Sequence, residues 1–133
     1  MITVVAALIG RRGRLLICQR SAGGPFPLKW EFPGGKVQRG ETPRAALKRE
    51  LREELGVAAT IGRQMYRTRY RCKSPALHVE LLFYGASLPK GARTRNLQFE
   101  RVVWERPAKL TRYDFLLADR ELVEKLAGGE MPL

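Results

Sequence analysis

Residues 34–57 read GGKVQRGETPRAALKRELREELGV, a glycine loop running into a helix whose two ends are both marked in the sequence. Thr42 is a good N-cap, Pro43 suits the first helical position, and Gly56 can take the left-handed conformation that closes a helix. A helix from about Thr42 to Leu55 places Glu50, Glu53 and Glu54 at i, i+3 and i+4, on one face. Three like charges on one patch repel, so an ordinary surface helix gains nothing from them. A divalent cation reverses the sign of that cost, because hard oxygen ligands gathered together are what Mg²⁺ or Mn²⁺ binds. The plainer account is a solvated helix on which Lys48, Arg49 and Arg52 neutralise the glutamates.

The full order Gly35, Glu41, Arg49, Glu50, Leu51, Glu53, Glu54, Gly56, Val57 decides between the two accounts. It resembles the Nudix box of Nudix hydrolases, and it matches that signature at every position. Seven fixed residue types would coincide by chance with odds on the order of one in a billion, at about one in twenty each. The flanks resemble the MutT-type nucleoside triphosphate pyrophosphohydrolases. Trp30-Glu31-Phe32-Pro33-Gly34-Gly35-Lys36 is similar to their lead-in; Trp104, Leu110 and Phe115-Leu116-Leu117-Ala118-Asp119 are similar to their close.

The resemblance implies an α/β (α+β) Nudix fold, a mixed sheet sandwiched between helices. It implies metal-dependent hydrolysis of (deoxy)nucleoside triphosphates, oxidised guanine nucleotides (8-oxo-dGTP-like) or CTP-like ones among them, to monophosphate and pyrophosphate. Mg²⁺ or Mn²⁺ would be held by Glu50, Glu53, Glu54 and the Gly34 carbonyl, where it would neutralise the triphosphate and acidify a water aimed at the β-phosphorus. Glu53, Glu54, Lys36 and Arg49 form the expected catalytic group, with Lys36 adding charge at the phosphates and Arg49 tying the catalytic loop to the helix. Glu41 is expected to be structural, its charge suiting the helix dipole ahead of the N-cap. Asp119 falls where MutT-type enzymes contact the base edge, although it would equally cap a helix beginning at Arg120. An ionised Asp119 only accepts hydrogen bonds, which suits the amino or imino donors of guanine and cytosine better than thymine. One departure stands out: many members carry a further glutamate six positions before the closing tryptophan, and here that position is Gln98. General-base work would then rest with Glu53, Glu54 or the metal-activated water, and Glu100 is the nearest other carboxylate in sequence.

The rest of the chain is consistent with one domain over 1–127 and a flexible tail over 128–133. No apolar run is long enough to cross a bilayer. The start MITVVAALIGRRGR has no basic stretch ahead of its apolar part, so it reads as a first strand, and a cytoplasmic, membrane-free protein is expected. Cys18 and Cys72 lack metal-type spacing and are expected to be reduced thiols. The turn Arg11-Arg12-Gly13 separates apolar Ile2–Ile9 from Leu15–Cys18 as in a hairpin. Further strands are expected over 61–72, 77–87 and 99–104, loops at Ala22–Pro27, Lys73-Ser74-Pro75 and Pro89–Asn96, and a last helix from Leu116 or Asp119 to Leu126.

The net charge of +12 favours a polyanionic partner. Arg67, Arg69 and Arg71 alternate with Thr68, Tyr70 and Cys72, which sets the arginines on one strand face. No aromatic residue lies among them to stack on bases, so a small nucleotide is the favoured partner and nucleic acid is possible but less favoured. The other readings are a Nudix hydrolase acting on ADP-ribose, a dinucleoside polyphosphate or an RNA 5′ end, or a non-catalytic nucleic-acid-binding domain. A monomer or a homodimer fits equally.

Overall fold

The computed structural model describes residues 1–73 and 76–131. Strand β1 (Ile2–Arg11) is its axis, apolar along nearly its whole length and therefore covered on both faces. It pairs in parallel with β6 (Ala76–Ser87), from Ile2 opposite Val79 to Ile9 opposite Ala86. At its far end it turns into β2 (Arg14–Gln19) through Arg12 and Gly13, both with φ near the left-handed value, 52° and 76°. Two such residues make the tight hairpin turn that the sequence indicates. β2 pairs with β3 (Trp30–Glu31) on one side and with β7 (Arg101–Glu105) on the other, while β5 (Thr60–Lys73) lies antiparallel on β6 with register shifts near Gln64.

Alternation along β1 divides the core. Val5, Ala7 and Ile9 face helix α1 (Pro43–Leu55) and pack with Leu47, Leu51 and Leu55; Ala6 and Leu8 face helix α2 (Arg120–Ala127) and pack with Leu122, Val123 and Leu126. This is the mixed sheet between helices expected from the sequence. Helix α1 is capped as expected: the Thr42 side chain accepts from the Ala45 N–H, and Gly56 closes it at φ 65°.

Several local expectations are revised. The glycine loop is partly a strand, since β4 (Gly34–Lys36) pairs with β1 from Ala6 to Val4. Only glycine fits at 34, because a Cβ there would lie 1.9 Å from the Val5 carbonyl oxygen. The last helix begins at Arg120, after a short 3₁₀ turn over Leu117–Asp119, and another 3₁₀ turn occupies Pro107–Arg112. Asp119 stands at the helix entry but makes no side-chain capping bond, which removes the capping account of that residue. Over 128–131 the tail expected to be flexible turns back: the Glu130 N–H donates to the Lys125 carbonyl, and Met131 packs against the core beside α2. Residues 132–133, and Ser74-Pro75 of the expected loop, lie outside the described residues. Among the described residues no helix is long and apolar enough to cross a membrane. Cys18 is a free thiol buried under α1, and desolvation raises its pKa well above normal.

Candidate active site

β4 and the second half of α1 meet at the N-terminal end of β1, and the meeting is close because residue 35 has no side chain. A Cβ on Gly35 would lie 2.5 Å from the carboxyl carbon of Glu50. Glu50 is thereby laid against the strand backbone. Glu54, one turn further on, accepts a hydrogen bond from the Gly34 N–H (3.0 Å) and another from the Gln98 side-chain amide (3.2 Å). These two carboxylates, with Gly34, Gly35 and Lys36, line a cavity of about 320 Å³ that also takes in Arg20, Glu31, Phe32, Leu81, Gln98, Leu116 and Asp119.

Glu54 is only 3% exposed, and among the described residues no Lys or Arg pairs with it. Burial in the first place, and then the charges of Glu50 and Glu31, push its pKa to about 9. At neutral pH the pocket therefore lacks positive charge at this carboxyl. A divalent cation would supply what is missing. The second oxygen of Glu50 likewise has no protein donor among the described residues, since Arg49 Nη1 donates to Oε1 (2.8 Å). The expected triad is not closed, however. Glu53 is 56% exposed, does not line the cavity, and among the described residues reaches only Arg49 (3.3 Å). Among the described residues no three His, Cys, Asp or Glu side chains form a ready metal cage. Helical periodicity places the three glutamates on one face without saying how that face is rotated against the strand.

Arg49 forms a clamp at the edge of this pocket. Its guanidinium donates to both oxygens of Glu41 (2.6 and 2.9 Å), to Glu50, to Glu53 and to the Lys36 carbonyl (3.1 Å). Glu41 also accepts from the Gln38 N–H, and the Arg49 bond is the main reason its pKa falls to about 2. Glu41, expected to act through the helix dipole, acts instead as the anchor that holds Arg49 over the loop.

Asp119 is 3% exposed, lines the cavity, and makes no side-chain hydrogen bond among the described residues. Desolvation, and to a lesser degree the charge of Glu31, raise its pKa to about 8. Lys36 lies at the cavity wall without a carboxylate partner among the described residues. Glu100 approaches the Ala22 N–H at 3.4 Å and does not line the cavity. Two cavity residues were missed in the sequence, Glu31 and Arg20, which pair at 3.0 Å. Burial raises Glu31 and Arg20 counters it. The signal was present: Trp30 and Phe32 are buried on the α2 side of the sheet, and alternation turns Glu31 to the other face.

An acidic pocket of this kind, where a glycine strand meets a helix, suits a cation and a polyanion bound together. The NUDIX domain family model matches residues 1–126, and the chain belongs to the Nudix family. It is a Nudix hydrolase, an enzyme acting on phosphoric anhydrides. It is similar to a CTP pyrophosphohydrolase of Escherichia coli strain K12, 37% identical over 125 residues, which are 93% of this chain and 90% of the relative. It is also similar to an 8-oxo-dGTP diphosphatase of Haemophilus influenzae, 41% identical over 85 residues, or 63% and 61% of the two chains. Among solved structures, the solution structure of the E. coli ORF135 protein superposes with a TM-score of 0.82 at 34% identity, covering 98% of this chain and 91% of that one.

Proposed function

We propose that this Nudix hydrolase converts (deoxy)nucleoside triphosphates to the monophosphate and pyrophosphate, with the base end of the substrate at Asp119 and the phosphates toward Glu50 and Glu54. The observation that carries this reading is the cavity itself: Glu50 and Glu54 at one end, the latter with no basic partner among the described residues, the buried Asp119 carboxyl with no hydrogen-bond partner among the described residues at the other, and Lys36 and Arg20 in its wall. The relative named for CTP and the one named for 8-oxo-dGTP support a nucleotide of this size.

Glu50, Glu54 and the Gly34 carbonyl, with Glu53 at the outer edge, would hold Mg²⁺ or Mn²⁺. When bound, the ion neutralises the triphosphate and acidifies the attacking water. Arg49, fixed by Glu41, keeps Glu50 and the Lys36 backbone in register. Gln98 donates to Glu54 and, as an amide, takes up no proton, so it orients that carboxylate and is not a base. Lys36 offers charge to the phosphates.

Asp119 reads the base in a way that depends on its proton. With a pKa of about 8 it is protonated at neutral pH, and it then donates as well as accepts. This replaces the acceptor-only carboxylate expected from the sequence. The protonated group matches the amino donor and ring-nitrogen acceptor of cytosine and also accommodates thymine; the ionised group suits the two adjacent donors of guanine. Preference for guanine-type over thymidine triphosphates in kcat/KM should therefore grow between pH 6.5 and 9, and Asp119→Asn should flatten that trend. Turnover of a nucleotide panel with Mg²⁺ and with Mn²⁺, with products separated by chromatography, tests the reading. Orthophosphate and nucleoside diphosphate in equal amounts would overturn it.

A further inference from the structure

The arginine stripe on β5 is partly neutralised, since Glu80 on the neighbouring strand lies 3.0 Å from Arg67 and 3.6 Å from Arg69. A second basic region, assembled only in three dimensions, has no carboxylate within ion-pair distance of its arginines among the described residues. The hairpin between β1 and β2 carries Arg11, Arg12 and Arg14, and it stands between two hollows. One, of about 480 Å³, is floored by Pro107, Leu126 and Met131; the other, of about 440 Å³, is walled by Trp104 and Arg106. Among the described residues none of these four arginines forms an ion pair. The nearby carboxylate, Glu105, is held mainly by the Tyr113 hydroxyl (2.6 Å) and the Arg106 N–H (2.7 Å), and its charge acts more weakly on Arg14 and Lys109. Arg12, Arg14 and Arg106 are exposed, and the guanidinium of Arg11 lies over the Trp104 indole, 5.3 Å from its centre.

We infer that this hairpin end is a binding surface for the phosphate backbone of single-stranded nucleic acid. Guanidinium forks match phosphate oxygens in pairs, and four of them, none in an ion pair among the described residues, form an anion track. Arg11 held over an indole supplies a plane on which a base can stack, the feature that the β5 stripe lacks. The surface is separate from the catalytic pocket. The pocket takes Val4–Ala6 of β1 and the track begins at Arg11, about five residues or roughly 16 Å further along a rigid strand. Binding here therefore leaves the pocket open, and it does not depend on the nucleotide reading.

The experiment is fluorescence anisotropy of an end-labelled 20-nucleotide oligouridine with the full-length protein, at KCl from 50 to 300 mM. Four phosphate contacts give a slope of log K against log salt of about −3. Arg12→Gln/Arg14→Gln/Arg106→Gln, which keeps the Arg11–Trp104 contact, should weaken binding at least tenfold and bring the slope to about −1. Its nucleotide hydrolysis and melting temperature should stay those of the parent. The control Arg67→Gln/Arg69→Gln should change affinity less than twofold. The inference is overturned if the triple variant keeps the parent slope, or if the control loses more affinity than it does. It is overturned also if polyglutamate binds as tightly as oligouridine, or if a nucleoside triphosphate at its KM displaces the strand, which would place the strand in the catalytic pocket.

Discussion

Asp119→Asn should make this enzyme more stable, by an amount that depends on pH. The carboxyl is buried, hydrogen-bonds to no described side chain or backbone group, and has a pKa of about 8 against an ordinary 3.8. A folded-state pKa raised above the unfolded value means that the group's contribution is fully present below about pH 3.8 and is lost as pH rises through about 8. Each unit of the interval corresponds to about 1.4 kcal/mol, so the whole interval sets an upper bound of roughly 6 kcal/mol above pH 8. The group faces a cavity that water enters, so this figure is the ceiling of the cost. Asparagine keeps the shape, carries no charge and forfeits no capping bond. Urea unfolding of the parent and the variant, both metal-free, should differ by only about 1 kcal/mol at pH 4.5, just above the ordinary carboxyl pKa. The gap should widen steadily as pH rises to 8.5, to at most roughly 6 kcal/mol. Glu54 titrates over the same range but in both proteins, so it cancels from the difference. A gap that does not change with pH, or a variant less stable than the parent at pH 8.5, would refute the argument and return Asp119 to a structural role.

Glu54→Gln should lower turnover by orders of magnitude and abolish the rise in Tm that Mg²⁺ gives the parent. The metal-free variant should gain on the parent as pH climbs from 4.5 toward 9, the interval over which the raised Glu54 pKa costs the parent stability. Gly35→Ala drives a methyl group into the Glu50 carboxyl, so kcat should fall about a hundredfold with little change in Tm, read by steady-state kinetics beside a melting curve. Arg49→Lys leaves a point charge where a fork spans Glu41, Glu50 and the Lys36 carbonyl. Turnover should drop at least tenfold while KM stays near the parent value, and an unchanged kcat would remove the clamp from the account.

The helix of the site was legible because its punctuation is local: Thr42, Pro43 and Gly56 act within a turn of themselves. The hairpin was legible for the same reason. What the sequence left open depends on how elements are rotated against one another. Spacing put Glu50, Glu53 and Glu54 on one face, but only packing of Leu47 and Leu51 under the sheet turns Glu54 inward and leaves Glu53 in solvent. Glu31 lies on β3 and Arg20 just past the end of β2, and they meet through pairing that no local pattern encodes. The charge pattern drew attention to β5, where regular alternation is visible in one dimension. The arginines of the hairpin join Arg106 only after β7 is laid beside β2.

Cys18 offers a clock that needs no added label site. Its sulfur is sealed between the sheet and α1, and the negative field of Glu54 and Glu31 adds to burial in keeping it a thiol. A thiol reagent reaches it only when helix and sheet part, so in a Cys72→Ser background the rate of its modification measures how often the layer beneath Glu50 and Glu54 opens. Cation or nucleotide that closes the site from above should be felt there as a slower tick, in molecules that are otherwise at rest.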